Sequence, residues 1–242
     1  NESFFDFVPT ILRALDYSTT VWICSFGIWQ HGDVGAELHD LERCPFARAL
    51  RGAEQVLVVT DTSAEVFNRC WCILEADLAR QWHKPYEITL PEDDSEELWE
   101  AVADKLGNLD VSACHATVEA DKQAILAYAS NHCGGVEHLS CTVRGLSKSA
   151  LGRARIHQLA RRGDADTLLE AGERQLTDWR CIRGRTVEHV LASHSHVLAL
   201  KRVSEAVGWL HLHAMDRDGK TPLGVAAEKG VIGSVAMLVA SG

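Results

Sequence analysis

The 242-residue sequence predicts an α/β domain built on a parallel sheet over residues 1–147, followed by an all-α repeat domain over 148–242. Three observations carry this. The run Val56-Leu57-Val58-Val59-Thr60 is continuously apolar, as in a parallel strand covered on both faces. Strand-like and helix-like segments alternate around it, the order of a doubly wound sheet. Towards the end of the sequence, turn residues and helix-start signals recur at a nearly fixed offset, the mark of a repeat.

Along the first domain, Phe4 to Leu15 places apolar residues at helical spacing, and Pro9 limits where that helix can begin. Val21-Trp22-Ile23-Cys24-Ser25-Phe26 reads as a buried strand, and Phe46 to Leu50 as a short helix. Glu65 to Gln81, rich in Ala, Leu, Glu and Arg, reads as one helix after the Val56–Thr60 strand. Tyr86 to Leu90 is a short strand. Acidic residues from Pro91 to Glu97 open the next helix, where negative charge suits the N-terminal dipole. Leu109-Asp110-Val111 is a last strand and Val118 to Ser130 a last helix.

Composition excludes some functions. With 34 Asp and Glu against 24 Lys and Arg, the net charge is −10, so a nucleic-acid surface is not expected. No apolar run approaches the length of a membrane span. Eight cysteines show no disulfide rhythm, which fits an intracellular, reducing compartment. The sequence starts at Asn1 rather than Met, so targeting is not read from it. Cys133, His138 and Cys141 do not have a standard zinc spacing, and the His194/His196 and His211/His213 pairs suit turns and helix surfaces, so no metal site is expected.

Residues 216–242 carry Asp216, Gly219, Thr221-Pro222-Leu223, Ala226-Ala227, Gly230, Val235 and Leu238. This resembles one ankyrin repeat. Asp216 to Gly219 suit a tight turn, Pro222 is pre-set for a first helical position, and Ala226 and Ala227 let helices approach closely. The family's usual His after Leu is Gly224 here. Ile156 to Gly172 resembles an earlier helix pair, and Gly184-Arg185-Thr186-Val187 lines up with Gly219-Lys220-Thr221-Pro222 as a degenerate middle repeat. The resemblance implies a protein-binding surface without chemistry, with Asp216, Asp218 and Lys220 as its contact residues.

The first domain resembles a second family. Ala49 to Thr60, followed by Arg69-Cys70-Trp71-Cys72-Ile73-Leu74-Glu75, looks like the centre of a TIR domain, with Trp71, Cys72 and Glu75 on its W-C-x-x-E pattern. The resemblance implies a flavodoxin-like sheet whose first strand has no counterpart here, so this domain is expected to be N-terminally incomplete. It also implies possible self-association. In TIR enzymes the matching Glu contacts the ribose of NAD, which makes Glu75 a candidate catalytic residue and Phe26, Gly27 and Trp71 candidate cofactor contacts. The ordinary reading places Trp71 and Cys72 in the core and pairs Glu75 with Arg69 or Arg80. The expectation is therefore an interaction or scaffold subunit with no cofactor. The alternative is an NAD-cleaving signalling enzyme, with NAD as its cofactor.

Overall fold

A computed structural model describes residues 4–15, 19–23, 44–61, 63–91 and 95–241. The chain divides into two compact units, Asn1–Leu151 and Gly152–Gly242. The division falls inside one continuous helix.

In the first unit the elements are α1 (Phe4–Ala14), α2 (Pro45–Gly52), β1 (Val56–Val59), α3 (Cys70–Gln81), β2 (Tyr86–Thr89), α4 (Glu96–Gly107), α5 (Glu119–His132) and the first part of α6 (Val136–Arg162). The β1–α3–β2 unit is a parallel crossover, with Val56 opposite Tyr86 and Val59 opposite Thr89. β2 alternates as a half-covered strand should, with Tyr86 and Ile88 buried, while all four residues of β1 are only half-buried. α3 supplies the core: Ile73, Leu74, Ala76, Leu78 and Ala79 are all almost fully enclosed.

Among the described residues the expected flavodoxin-like, doubly wound sheet is not found. There the sheet has two strands of four residues each, and the rest of the regular structure is helical. Two further expected strands join no sheet among the described residues. Val21 to Ile23 has no strand partner, and Cys24 to Phe26 lies outside the described residues. Leu109–Val111 instead leads into a turn of 3₁₀ helix, Val111–Ala113, with Asp110 as its N-cap. Asp110 accepts bonds from the Ser112 backbone N–H and hydroxyl, at 2.9 and 2.8 Å, while the Val111 N–H donates to Ser140 Oγ at 3.1 Å. Such side-chain bonds take the backbone groups a ladder would need.

The single helix expected over Glu65–Gln81 is broken by a long-range contact. Glu65–Asn68 is 3₁₀, and Arg69 is extended and bridges His115 in parallel. The Cys70 N–H donates to His115 O at 3.0 Å, the His115 N–H donates to Asn68 O at 2.8 Å, and Cys70 is disulfide-bonded to Cys114. That disulfide removes the cysteine pattern as grounds for a reducing compartment. α1 begins at Phe4 and carries Pro9 inside it, so proline does not set its start.

The second unit repeats one design. Helices α7 (Ala165–Glu170), α8 (Glu173–Asp178), α9 (Val187–Ser193), α10 (Val197–Val207), α11 (Pro222–Glu228) and α12 (Ile232–Ser241) follow the end of α6. Three helix pairs result: α6/α7, α9/α10 and α11/α12. Each first helix ends in the same way. Gly163, Ser195 and Gly230 have φ of +73°, +66° and +70°, and the Asp164, His196 and Val231 N–H groups reach back five residues to Leu159, Leu191 and Ala226 at 2.9–3.1 Å. This is the Schellman type of helix stop. Gly163 has a second constraint, because a Cβ there would lie 2.5 Å from the His196 ring.

The turns before α9 and α11 also match. The Cys181 N–H donates to Arg185 O at 3.0 Å and the Gly184 N–H to Cys181 O at 2.7 Å; 35 residues on, Asp216 donates to Lys220 O at 2.9 Å and Gly219 to Asp216 O at 3.0 Å. Thr186 and Thr221 are the N-caps, and Pro222 is the first helical residue. The shared core runs through Ile156, Leu168, Leu176, Leu191, Leu200, Val203, Ala226 and Leu238.

One residue breaks the pattern. Glu188 is 1% exposed, at the position 35 residues before Leu223, and both its carboxylate oxygens lack a hydrogen-bond partner. Its compensation is its place in the first turn of α9, where the helix dipole favours an acid. Replacing Glu188 by Leu should stabilise the unit by about 1–3 kcal/mol, because an unpartnered buried polar group is exchanged for the apolar residue the repeat carries elsewhere. Denaturant unfolding with a raised midpoint and unchanged slope is the expected outcome; a lowered midpoint would show that the carboxylate has a stabilising role.

Candidate functional site

The residues singled out in the first unit lie on or next to α3. Trp71 stacks on Phe46 of α2, with ring centroids 4.7 Å apart, and its indole N–H donates to Asp121 Oδ2 of α5 at 3.2 Å. Both faces of its role are thus structural: it joins α2 to α5. Phe26 and Gly27, the other expected cofactor contacts, lie outside the described residues.

Glu75 is half-buried at the middle of α3. Burial raises its pKa to about 7, and the nearby Arg69 charge opposes that rise only in part. Its charge also reaches Tyr86, at the start of β2. The Tyr86 phenol is pushed up by burial and, beyond that, by the Cys72 and Glu75 charges. Glu75 and Arg69 form no ion pair among the described residues; the Arg69 charge acts on Glu75 only at longer range. Arg80 instead binds Asp77, at 3.1 Å. A nucleotide cleft of the flavodoxin-like kind forms at the carboxyl ends of several parallel strands. The described residues supply two such strands.

Asp77, which sequence reasoning passed over, is the better satisfied carboxylate. It is 1% exposed, and Arg80 donates to Oδ1 at 3.1 Å while Gln81 Nε2 and Cys133 Sγ donate to Oδ2 at 2.6 and 3.2 Å. Burial, the hydrogen bond to Asp77 and the Asp77 charge push the Cys133 thiol up to about 12, so it stays a thiol. The Cys141 thiol donates to Glu137 at 3.5 Å. No cluster of three metal-ligating side chains occurs among the described residues.

In the second unit, two of the three expected contact residues serve the turns. Asp216 is buried. Its Oδ1 accepts the Asp218 and Lys220 N–H groups at 3.0 and 2.9 Å, and its Oδ2 accepts Arg185 Nε at 3.1 Å. These bonds hold its pKa down against the opposing effect of burial. Lys220 is half-buried, and its ammonium donates to both oxygens of Glu228 at 2.7 Å. Asp218 is exposed and lies 3.7 Å from Arg183. Arg217, at the exposed tip, joins the two turns through its N–H, which donates to Arg183 O at 3.0 Å.

His189 was also missed. It is fully buried, accepts the Thr186 N–H at Nδ1 over 3.2 Å, and donates from Nε2 to Lys220 O at 2.9 Å. These partners assign the neutral Nε2–H tautomer, and burial lowers its pKa. The signal was present in the sequence: the 35-residue offset aligns His189 with Gly224, the position where the ankyrin pattern usually has His.

No family model, curated protein or solved structure matches the chain. No helix among the described residues is long and apolar enough to cross a membrane.

The two units should respond to pH in opposite directions. The Glu75 pKa is raised from 4.5 to about 7, so the stability it contributes is complete below 4.5 and is lost as pH rises through 7. Glu75→Gln should therefore gain about 1–2 kcal/mol over the parent between pH 5 and pH 8, after discounting for partial exposure. Melts of the two proteins that stay parallel across that range would refute the shifted acid.

His157 behaves inversely. It stacks on Trp179 at 5.9 Å, and burial, followed by the Arg161, His194 and Arg185 charges, lowers its pKa to about 3. Its stability is present above pH 6.5 and is lost as pH falls towards 3. At pH 5 the loss should be about 1–2 kcal/mol, and His157→Gln should flatten that acid limb. An acid limb of the same slope in the variant would exclude His157 as its cause.

Proposed function

We infer that the second unit is an ankyrin-type repeat module and that the chain works as an interaction or scaffold subunit through it. The observation that carries this reading is the pair of turns with the same hydrogen bonds, 35 residues apart and joined by Arg217 N–H to Arg183 O at 3.0 Å. Stacked turns of this kind line up exposed side chains from successive repeats on one edge, which is how repeat proteins build an extended binding surface. Asp218 and Arg217 are exposed on that edge. Asp216 and Lys220 shape it from below rather than meeting the partner. The histidines support the same reading, since the four at 189, 194, 196 and 157 each serve packing or helix ends.

The test is site-specific photo-crosslinking in cells. A crosslinker at Asp218 should trap discrete protein adducts, and one at Glu100, exposed on α4 of the other unit, should not. Equal adducts from both positions, or none from position 218, would sink the reading.

A further inference from the structure

The last helix pair departs from the middle one on its outer side. The middle pair has the last one stacked on it: Arg185 binds Asp216 of the next turn at 3.1 Å, His189 donates to Lys220 O at 2.9 Å, and Ala192, Ser193 and Ser204 are buried. The same five positions 35 residues on are Lys220, Gly224, Ala227, Glu228 and Val239, and none of these five is buried.

The contrast is strongest between α10 and α12. In α10 the exposed positions include Lys201, Arg202 and Glu205; their counterparts in α12 are Ala236, Met237 and Ala240. Residues Ile232–Ser241 include no charged side chain at all. Even so, Ile232 is 82% exposed and Val239 64%, and Ala236 and Ala240 are exposed with them. At 3.6 residues per turn these four fall on one side of the helix. A helix that is apolar all round is normally enclosed. Repeat arrays give a face that stays in water a polar surface. This side has the composition of a covered one.

Charge narrows what covers it. Of the five uncovered positions two are charged, and their signs are opposite: Lys220 and Glu228, 2.7 Å apart. Such a surface gives no advantage to a strongly acidic or strongly basic partner. It is complementary to itself, because a two-fold rotation sets each Lys220 against the Glu228 of the other copy. We propose that the outer side of α11 and α12 docks on the same side of a second copy of this chain. Val239 and Ile232 lose their contact with water there, and the Lys220–Glu228 pairs exchange partners across the axis. The inference stands apart from the binding edge at Arg217 and Asp218, and neither needs the other.

The test is sedimentation equilibrium of the full chain across a wide range of protein concentration. Monomer at low concentration and dimer at high, with no larger species, is the expected result. Val239→Glu should weaken dimerisation roughly tenfold or more, because the two-fold brings the new charge into the apolar contact twice. Val239→Ser, which copies Ser204 of the middle pair, should weaken it less. Lys220→Glu and Glu228→Lys should each weaken it alone, and a mixture of the two variants should recover the dimer. Lys201→Glu, on the exposed side of α10, should leave it unchanged. Melts of each variant check folding. A monomer at every concentration, growth past the dimer, a dimer insensitive to Val239→Glu, equal weakening by Lys201→Glu, or no recovery in the mixture would overturn the proposal. The first of these outcomes would leave the apolar side to a different protein.

Discussion

The buried Asp216 carboxylate is the constraint on which the second unit depends. It closes its own turn through two backbone N–H groups and fastens that turn to Arg185 of the turn before it. The chain segment it fixes then presents Lys220 O to His189, whose other nitrogen holds the start of α9. One side chain therefore couples two turns and a helix cap. A charge buried with three well-placed partners contributes specificity of register, whereas removing it would leave Arg185 buried and unpaired. The turn before α9 has Cys181 at the equivalent place, which makes the backbone bonds but offers no carboxylate to a preceding turn.

Five carboxylates in this protein show how environment decides the behaviour of one functional group. Asp216 and Asp77 are buried and bonded on both oxygens. Glu228 is half of a surface pair with Lys220. Glu75 is half-buried with only partial compensation from Arg69, so its ionisation moves into the neutral range. Glu188 is enclosed with no partner and stands where the neighbouring repeat has an apolar residue. A similar contrast holds between units. The acid-rich first unit carries a carboxyl that prefers to be protonated, while the second carries histidines that prefer to be neutral. A narrow pH range in which both units are near their best follows from that opposition.

Charge is divided as unevenly as fold: residues 1–151 carry 24 Asp and Glu against 11 Lys and Arg, and residues 152–242 carry 10 against 13. The first unit builds its core on one almost wholly enclosed helix, α3, and holds the start of that helix by a disulfide and a backbone bridge to His115. The second repeats a short helix pair whose ends are stopped by a left-handed residue each time. In the second, the same physical problem is solved three times, so the solutions can be compared position by position. Ser195 stands where the other pairs use Gly, and Glu188 stands where the last pair uses Leu223.

Local chemistry alone determined a good deal. The Val56–Val59 strand, the Tyr86–Thr89 strand and their parallel sense followed from an apolar run and a helix between them. The Thr186 and Thr221 caps, Pro222 at a helix start and the offset between the two turns followed from residues that act within four positions of themselves. Tertiary contacts decided the rest. Whether Val21–Ile23 or Leu109–Val111 joins a sheet depends on a partner strand, and the backbone of Val111 is bound by Ser140, 29 residues away. The break at Arg69 comes from His115 and Cys114, which no window around Glu65–Gln81 contains. The candidate site divides in the same way. Asp216 and Lys220 were expected as contact residues, but that one is buried against Arg185 and the other tied to Glu228 is set by packing across 31 and 8 residues. Burial and long-range pairing are properties of the folded chain, and a sequence pattern reports only the residues able to take part in them.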